Sequence, residues 1–355
     1  MLRRPTRVED MSNERVLIYG AAGHTGRFVT DELLSRGIEP VLAGRNAARL
    51  DALPYEHLER RAVSLDDTDA LHAALADVAV VVNVAGPFLD TALSLSRAAV
   101  AAGAHYLDVT AEQPAVQLLH DEVDAAARAV GVTVVPAMAF YGGLADLLAT
   151  AALAAETDAD EVEVAIGLDR WWPTEGTRIT GERNTAVRQL IRGGELSPLP
   201  NPAPVSRWSF AEPIGDQEVV QLPFSETITM HSHLQVGELT SYLNTAPLNE
   251  LRDESTPAPS AADDSGRSSQ RFVVDVVVRR GQQVRRITAS GRDIYAFTAP
   301  IIGEGVARLL DGRHHGEGAL APGKAFDARD LLEALERSTD AFAVSEHEAA
   351  ALSAS

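Results

Sequence analysis

From Glu14 to about Val135, short apolar runs alternate with stretches that place their apolar residues on one helical face. The runs are RVLIYG, EPVLAG, ERRAVSL, VAVVVNVAG, AHYLDVT and GVTVVPA, and the stretches between them include GRFVTDELLSRG and TALSLSRAAVAAG. The core runs are apolar almost throughout, as strands are when helices cover both faces of a sheet. Six such strands with crossover helices predict a doubly wound parallel sheet. After about Thr150 the pattern changes. DEVEVAIGLD, GELTSYLN, RFVVDVVVRR and QQVRRITASGRD alternate with a period near two, the signature of strands with one exposed face. TRITGERNTAVRQLIRGG predicts a helix over 177–194, and ITMHSHLQV predicts a strand with His231 and His233 on one face. The Pro/Ser-rich segment 252–270 predicts a mobile loop, and helices return over 295–310 and in DARDLLEALERS.

The expected fold is therefore α/β: an N-terminal Rossmann-type doubly wound parallel sheet, an inserted α+β substrate domain, and C-terminal helices returning to the first domain. The expected boundaries are 12–150 plus 292–340 for the first domain and 151–291 for the second, with flexible tails at 1–11 and 341–355.

Composition narrows the chemistry. The 355 residues contain no cysteine, which excludes disulfides, thiolate metal sites and cysteine nucleophiles. The net charge of −20 argues against a nucleic-acid partner. Lys324 is the only lysine. No window approaches the ~18 apolar residues of a membrane helix, and no apolar core follows the basic start, so a cytoplasmic setting is expected.

The stretch YGAAGHTGR carries Gly20, Gly23 and Gly26 directly after an apolar run. Such a turn lets backbone approach a pyrophosphate at a helix N-terminus. Its spacing, G-x-x-G-x-x-G, is a variant of the dinucleotide fingerprint; a strand–helix junction without ligand is the alternative. At the end of the second run, where an NAD-binding fold places an acid, stands Arg45, followed by Asn46. Arginine suits a 2′-phosphate, so NADP(H) is the expected cofactor. Asp66 is placed beside the adenine, or its neighbours Asp67 and Thr68 merely cap a helix. Gly86 and Pro87 would approach the nicotinamide half, or form a plain turn.

Tyr106, Asp108 and Glu112 lie at the C-terminal end of a parallel strand, where such folds bind ligands, and Tyr141 follows the sixth strand; Tyr106, Asp108 and Tyr141 are the catalytic candidates and Glu112 a substrate-binding one. Each has a structural alternative, such as Asp108 capping the next turn. Trp171, Arg178, His231 and His233 are candidates for the substrate side. No third ligand stands in register with the two histidines, so no metal is expected. No tyrosine is followed by lysine four residues on, which excludes the short-chain dehydrogenase mechanism.

YGAAGHTGR, LAGRN, NVAGPF, GAHYLDVTAE and VVPAMAFYGGLADLLA, in that order and spacing, resemble the saccharopine dehydrogenase-like oxidoreductases, including their trans-acting enoyl reductases. PTEGTRIT and GRDIYAFTAPIIGEGVARLLDG extend the resemblance, which covers 14–180 and about 290–335. It implies an NADP(H)-binding Rossmann domain, a substrate domain and hydride transfer between them. By that match Gly20, Ala22, Gly23, His24, Thr25 and Gly26 would line the pyrophosphate, Arg45 and Asn46 would hold the adenosine phosphate, and Ala85, Gly86 and Pro87 would lie near the nicotinamide. Ala111 stands where the family usually has glycine, and AFYGG departs from the usual Gly-Phe-Asp-Ser; both changes fall on the substrate face. The expected activity is reduction of a C=C or C=N bond of a small or carrier-bound metabolite. The alternatives are a non-catalytic NADP-sensing regulator and a redox-neutral enzyme on the same scaffold. A homodimer through the exposed face of the second sheet is one further option.

Overall fold

The computed structural model describes residues 15–339 and 341–348, so the expected tail at 1–11 lies outside the described residues. The chain opens with β1 (Arg15–Tyr19), α1 (His24–Ser35), β2 (Val41–Gly44), α2 (Ala47–Asp51), β3 (Arg60–Ala62), α3 (Thr68–Leu75), β4 (Val78–Asn83), α4 (Phe88–Ala101), β5 (His105–Asp108), α5 (Gln113–Val130) and β6 (Thr133–Val135). A kinked turn over Phe140–Leu144 leads into α6 (Ala145–Leu153) and then β7 (Asp158–Leu168). There follow α7 (Glu175–Arg183), β8 (Gln189–Arg192), β9 (Glu195–Pro198), β10 (Val205–Ser209), β11 (Asp216–Gln221), α8 (Glu226–His231), β12 (Gln235–Asn244), α9 (Thr245–Arg252), β13 (Arg271–Arg280) and β14 (Gln283–Arg292). The remaining elements are α10 (Ile294–Leu310), β15 (Gly318–Ala319), α11 (Pro322–Ala325), α12 (Ala328–Ser338) and β16 (Phe342–Glu348).

The first sheet has the order β15-β6-β5-β4-β1-β2-β3, and every neighbouring pair is parallel. This is the doubly wound Rossmann order with one short strand added at the edge. Reversal of direction at β1 opens a crevice at the C-terminal ends of β1 and β4, which is where ligands bind in such sheets. One face buries Leu71, Leu75, Ala92, Leu95, Leu119 and Val123 from α3, α4 and α5. The other buries Val29 and Leu33 of α1 against Ile301, Ile302 and Val306 of α10, in a core that runs on to Val164 and Val276 of the second sheet. The two sheets thus share one apolar layer, which burial holds as a unit.

The second sheet runs β10-β11-β12-β7-β13-β14-β16, with β8 attached to β12 and β9 to β8. Its β12–β7 pair is parallel and its other pairs are antiparallel. Three expectations change here. The helix expected over 177–194 stops at Arg183, and Gln189–Arg192 pair as β8, because Leu190 and Ile191 are buried against the sheet. His231 ends helix α8 and His233 follows it in a turn, so the two do not share a strand face. Residues 342–348, expected as tail, form β16 along β14, where Phe342 stacks on Phe297. Among the described residues no helix is long and apolar enough to cross a membrane.

Candidate functional site

The turn after β1 is built for close backbone approach. Gly20 has φ +93°, and a Cβ there would lie 2.9 Å from both Ala85 Cβ and Ala85 N. A Cβ on Gly26 would lie 2.5 Å from the Gly20 carbonyl oxygen and 2.7 Å from that of Ala21. Gly23 precedes α1 and supplies no side-chain cap. The first amides of α1 therefore point outward without intrahelical partners, at the positive end of its dipole. Ala22, His24 and Thr25 fill the rest of this turn. The residues present fit a dinucleotide: a cradle that a Cβ would fill and an uncapped helix start for the pyrophosphate.

At the end of β2, Arg45 is exposed with no acid beside it in the turn. Asn46 is used locally, since its Oδ1 accepts the Arg49 amide at 3.1 Å and caps α2. Asp66 is exposed, and Asp67 caps α3 through the Ala70 amide at 3.0 Å.

The third wall is the turn Ala85–Gly86–Pro87, whose Gly86–Pro87 bond is cis. Side chains behind it hold its shape. Tyr106 Oη donates to Asp108 Oδ2 at 3.1 Å and accepts from Asn83 Nδ2 at 2.9 Å, and Asn83 Oδ1 accepts the Ala85 amide at 3.0 Å. Asp108 Oδ1 also accepts the amides of Thr110 (3.0 Å) and Ala137 (2.8 Å), tying the ends of β5 and β6 together. Both Tyr106 and Asp108 are 0% exposed. Burial pushes the Asp108 carboxyl up to about 6, against the pull of its two amides, and raises Tyr106 well above the usual phenol range. The structure gives this pair a positioning task behind the turn and no access to the cleft. Glu112 is likewise engaged: its carboxylate accepts the Phe88 and Leu89 amides at 2.8 and 3.3 Å and caps α4 just after Pro87. Burial raises its carboxyl, and those two amides work in the other direction.

The opposite wall combines residues after β7 and in α7 with Tyr141 and Tyr295. Thr180 of α7 overhangs Gly86, where a Cβ would meet its Oγ1 at 3.0 Å. Trp171 stacks on Tyr141 at 5.6 Å and donates its Nε1–H to Tyr295 Oη at 3.0 Å. Tyr295 bonds Thr177 Oγ1 at 2.9 Å and meets the His24 ring edge-on at 5.6 Å. Asp293, buried with φ +59°, caps α10 through the amides of Tyr295 and Ala296 and so aims Tyr295. An aromatic chain thus runs from the glycine turn to the second sheet. Burial lowers the His24 imidazole and keeps it neutral near pH 7. Tyr141 Oη is buried without a hydrogen-bond partner, and burial raises it well above the usual phenol range.

The other substrate-side expectations scatter. Arg178 donates to the carbonyls of Leu251, Asp253 and Thr256 at 3.2, 3.1 and 2.9 Å, so it anchors the 252–270 loop to α7. His233 Nε2 lies 2.8 Å from Asp146 Oδ1, away from His231 and the cleft. Among the described residues no group of three or more His, Asp or Glu is arranged to hold a metal.

Sequence reading missed Tyr295, Thr180, Arg188 and Glu226. Tyr295 and Trp171 are 124 residues apart, so spacing could not pair them. Glu226 did leave a signal, an acid within the otherwise uncharged LPFSETITM. It is fully buried, one oxygen accepts the Phe224 amide at 2.9 Å, and the other has no partner. Arg188 lies over the Phe224 ring at 4.9 Å, and its charge favours the ionised form of Glu226, whose carboxyl burial raises.

Comparison with known proteins agrees with this geometry. Residues 16–135 match the family model described as the saccharopine dehydrogenase NADP binding domain. The apo saccharopine dehydrogenase (L-Glu forming) of Saccharomyces cerevisiae superposes with a TM-score of 0.66 over 95% of this chain and 100% of that one, at 13% identity, and shows the fold. A lipid droplet localized protein of Caenorhabditis elegans is 26% identical over 151 residues, which is 39% of this chain and 35% of that relative. The match thus spans about a third of the relative's length. With its glycine cradle and Rossmann strand order, residues 16–135 form a domain of the saccharopine dehydrogenase NADP-binding type, set in a chain with the fold of saccharopine dehydrogenase.

Proposed function

We propose that this protein is an NADPH-dependent reductase acting on a C=C or C=N bond of a small or carrier-bound metabolite, in the cleft between the two sheets. The observation that carries the reading is Thr180 of α7 standing over Gly86, where the nicotinamide half is expected, with an aromatic cluster beside it: Tyr295 bonds Thr177 of the same helix and Trp171, which stacks on Tyr141. When bound, the cofactor supplies the hydride. The chain's own residues do the remainder. The uncapped start of α1 and Arg45 hold the phosphates. The Glu112, Asn83 and Asp108 network keeps the Ala85–Pro87 turn rigid. The aromatic roof excludes water. Tyr141 carries a proton at a hydroxyl that has no partner within the protein, which suits it to donate to the reduced substrate. In this division of labour, 12–150 with 292–340 bind cofactor, and 151–291, extended by β16, bind substrate.

Loss of NADPH absorbance with an enone, an enoyl thioester and a cyclic imine tests the proposal. Turnover with one of the three supports it. Tight NADPH binding with no oxidation by any of them overturns it. Tyr141→Phe is expected to lower kcat about 100-fold with NADPH affinity unchanged, within the usual range for general-acid loss; an unchanged kcat removes Tyr141 from the proton step.

A further inference from the structure

Away from the cleft, α5, the turn after α8 and the turn into α11 surround a second cavity of about 260 Å³. His120, Asp124, Arg128, Ser232, His233 and Lys324 line it together with residues 319–321. None of them belongs to the glycine turn, the Gly86–Pro87 turn or the aromatic roof.

The lining is basic in a chain whose net charge is −20. Lys324, the only lysine, reaches this cavity. At its wall Arg128 pairs with Asp124 at 2.8 Å and the His233 ring hydrogen-bonds Asp146 at 2.8 Å; among the described residues no ion pair includes Lys324. Asp124, the one acid in the lining, is neutralised by Arg128 and also accepts the Ala319 amide at 2.9 Å. That leaves the Lys324 ammonium without an acid in direct contact among the described residues. His120 Nε2 is buried with no hydrogen-bond partner. A buried polar atom left unpaired costs free energy, so such an atom facing a polar cavity marks a place where a ligand or water completes the bonding. His233 is fixed by Asp146, and Asp146 also accepts the Gly323 amide at 2.6 Å, so the wall beside Lys324 is held rigid. The space exceeds the ~30 Å³ share of one water, so a polyatomic ion fits.

We propose that this cavity is a binding site for a small tetrahedral oxyanion of the phosphate class, alone or as the end group of a small metabolite. Lys324 Nζ supplies the charge with up to three donors, and His120 Nε2 adds a directed N–H in the tautomer that carries its proton there. Donors from two elements, with Arg128 behind them, suit an anion that presents oxygens in several directions.

Calorimetric titration of inorganic phosphate into the full chain, presaturated with NADP+ so that the cofactor's phosphate sites are filled, reads this cavity. The expected result is saturable one-to-one binding. Lys324→Ala weakens it about tenfold or more, as loss of a charged hydrogen-bond partner does. His120→Phe weakens it as well, and Lys324→Arg retains most of it. Lys324 is exposed, so its variants are expected to fold, and circular dichroism checks this. No saturable binding at millimolar phosphate overturns the proposal. So does binding that Lys324→Ala leaves intact, and so does acetate binding as tightly as phosphate.

Discussion

The two walls of the cleft are made of different material. The cofactor wall is backbone: Gly20, Gly23 and Gly26, the free amides of α1, and the Ala85–Pro87 turn. The opposite wall is side chain: Tyr141, Trp171, Thr180 and Tyr295, drawn from separate segments, with Arg188 and Glu226 linked to Tyr141 through Phe224. A backbone wall serves any ligand with the same pyrophosphate, because amides and a helix dipole read charge and spacing. A side-chain wall can leave polar atoms such as Tyr141 Oη and Glu226 Oε2 unpaired, and it discriminates by which substrate pairs them. Under the proposed function, cofactor binding would rest on the backbone wall and substrate choice on the side-chain wall.

The comparison breaks most sharply at Gly26. Gly26→Val would push a side chain into the Gly20 and Ala21 carbonyls, and NADPH affinity is expected to fall beyond about 1,000-fold, since the ~3 kcal/mol of overpacking adds to displaced anion-binding amides. Trp171 fluorescence, reporting the other wall, should hold; a joint collapse of both signals would show that the walls are one unit.

Next in size is a pH effect behind the cofactor wall. Asp108 titrates near 6 when folded, against about 3.9 unfolded. Its carboxyl is raised, so the folded state binds the proton more tightly. The protonated form's contribution is fully present below about pH 4 and is lost as pH rises through 6, a change of about 3 kcal/mol. Asp108→Asn keeps an acceptor and removes the titration. The urea midpoint of the parent, measured against this variant, should decline from pH 4 to just above 6 and then level; a flat difference rejects the assignment.

Smaller again is Arg45→Ala. NADPH affinity should drop about tenfold, the scale of one exposed charged hydrogen bond, while NADH affinity stays the same. Equal losses for both cofactors would move the 2′-phosphate elsewhere. The smallest effect is expected on the side-chain wall. Arg178→Ala frees the 252–256 segment from α7 and should cost about 1 kcal/mol of stability, with a raised KM and unchanged NADPH binding. A fall in kcat with KM constant would instead place Arg178 in the chemistry.

Legibility followed the same divide. The first sheet could be read because parallel strands covered on both faces are apolar runs, and because the phosphate turn depends on glycines within seven residues of one another. Asp108 and Glu112 were picked out as polar residues at a strand end. Their tasks were not legible, because those depend on Ala137, Phe88 and Leu89, which reach them only through β6 and α4. The helix expected over 177–194 failed after Arg183 for a similar reason: pairing with β9 and β12 outweighed local helical spacing. β16 was missed because a short polar strand is recognised only by the neighbour it pairs with.

The sequence by itself determined the doubly wound sheet, the glycine turn and the arginine in place of an acid after β2, since each is a local pattern enforced by backbone sterics and burial. Only the tertiary structure decided that Tyr106 and Asp108 sit sealed behind the turn, that Glu112 caps α4, and that Tyr295 joins His24 to Trp171. Those assignments rest on contacts between residues from different elements, and burial there reverses what an exposed tyrosine or carboxylate would do.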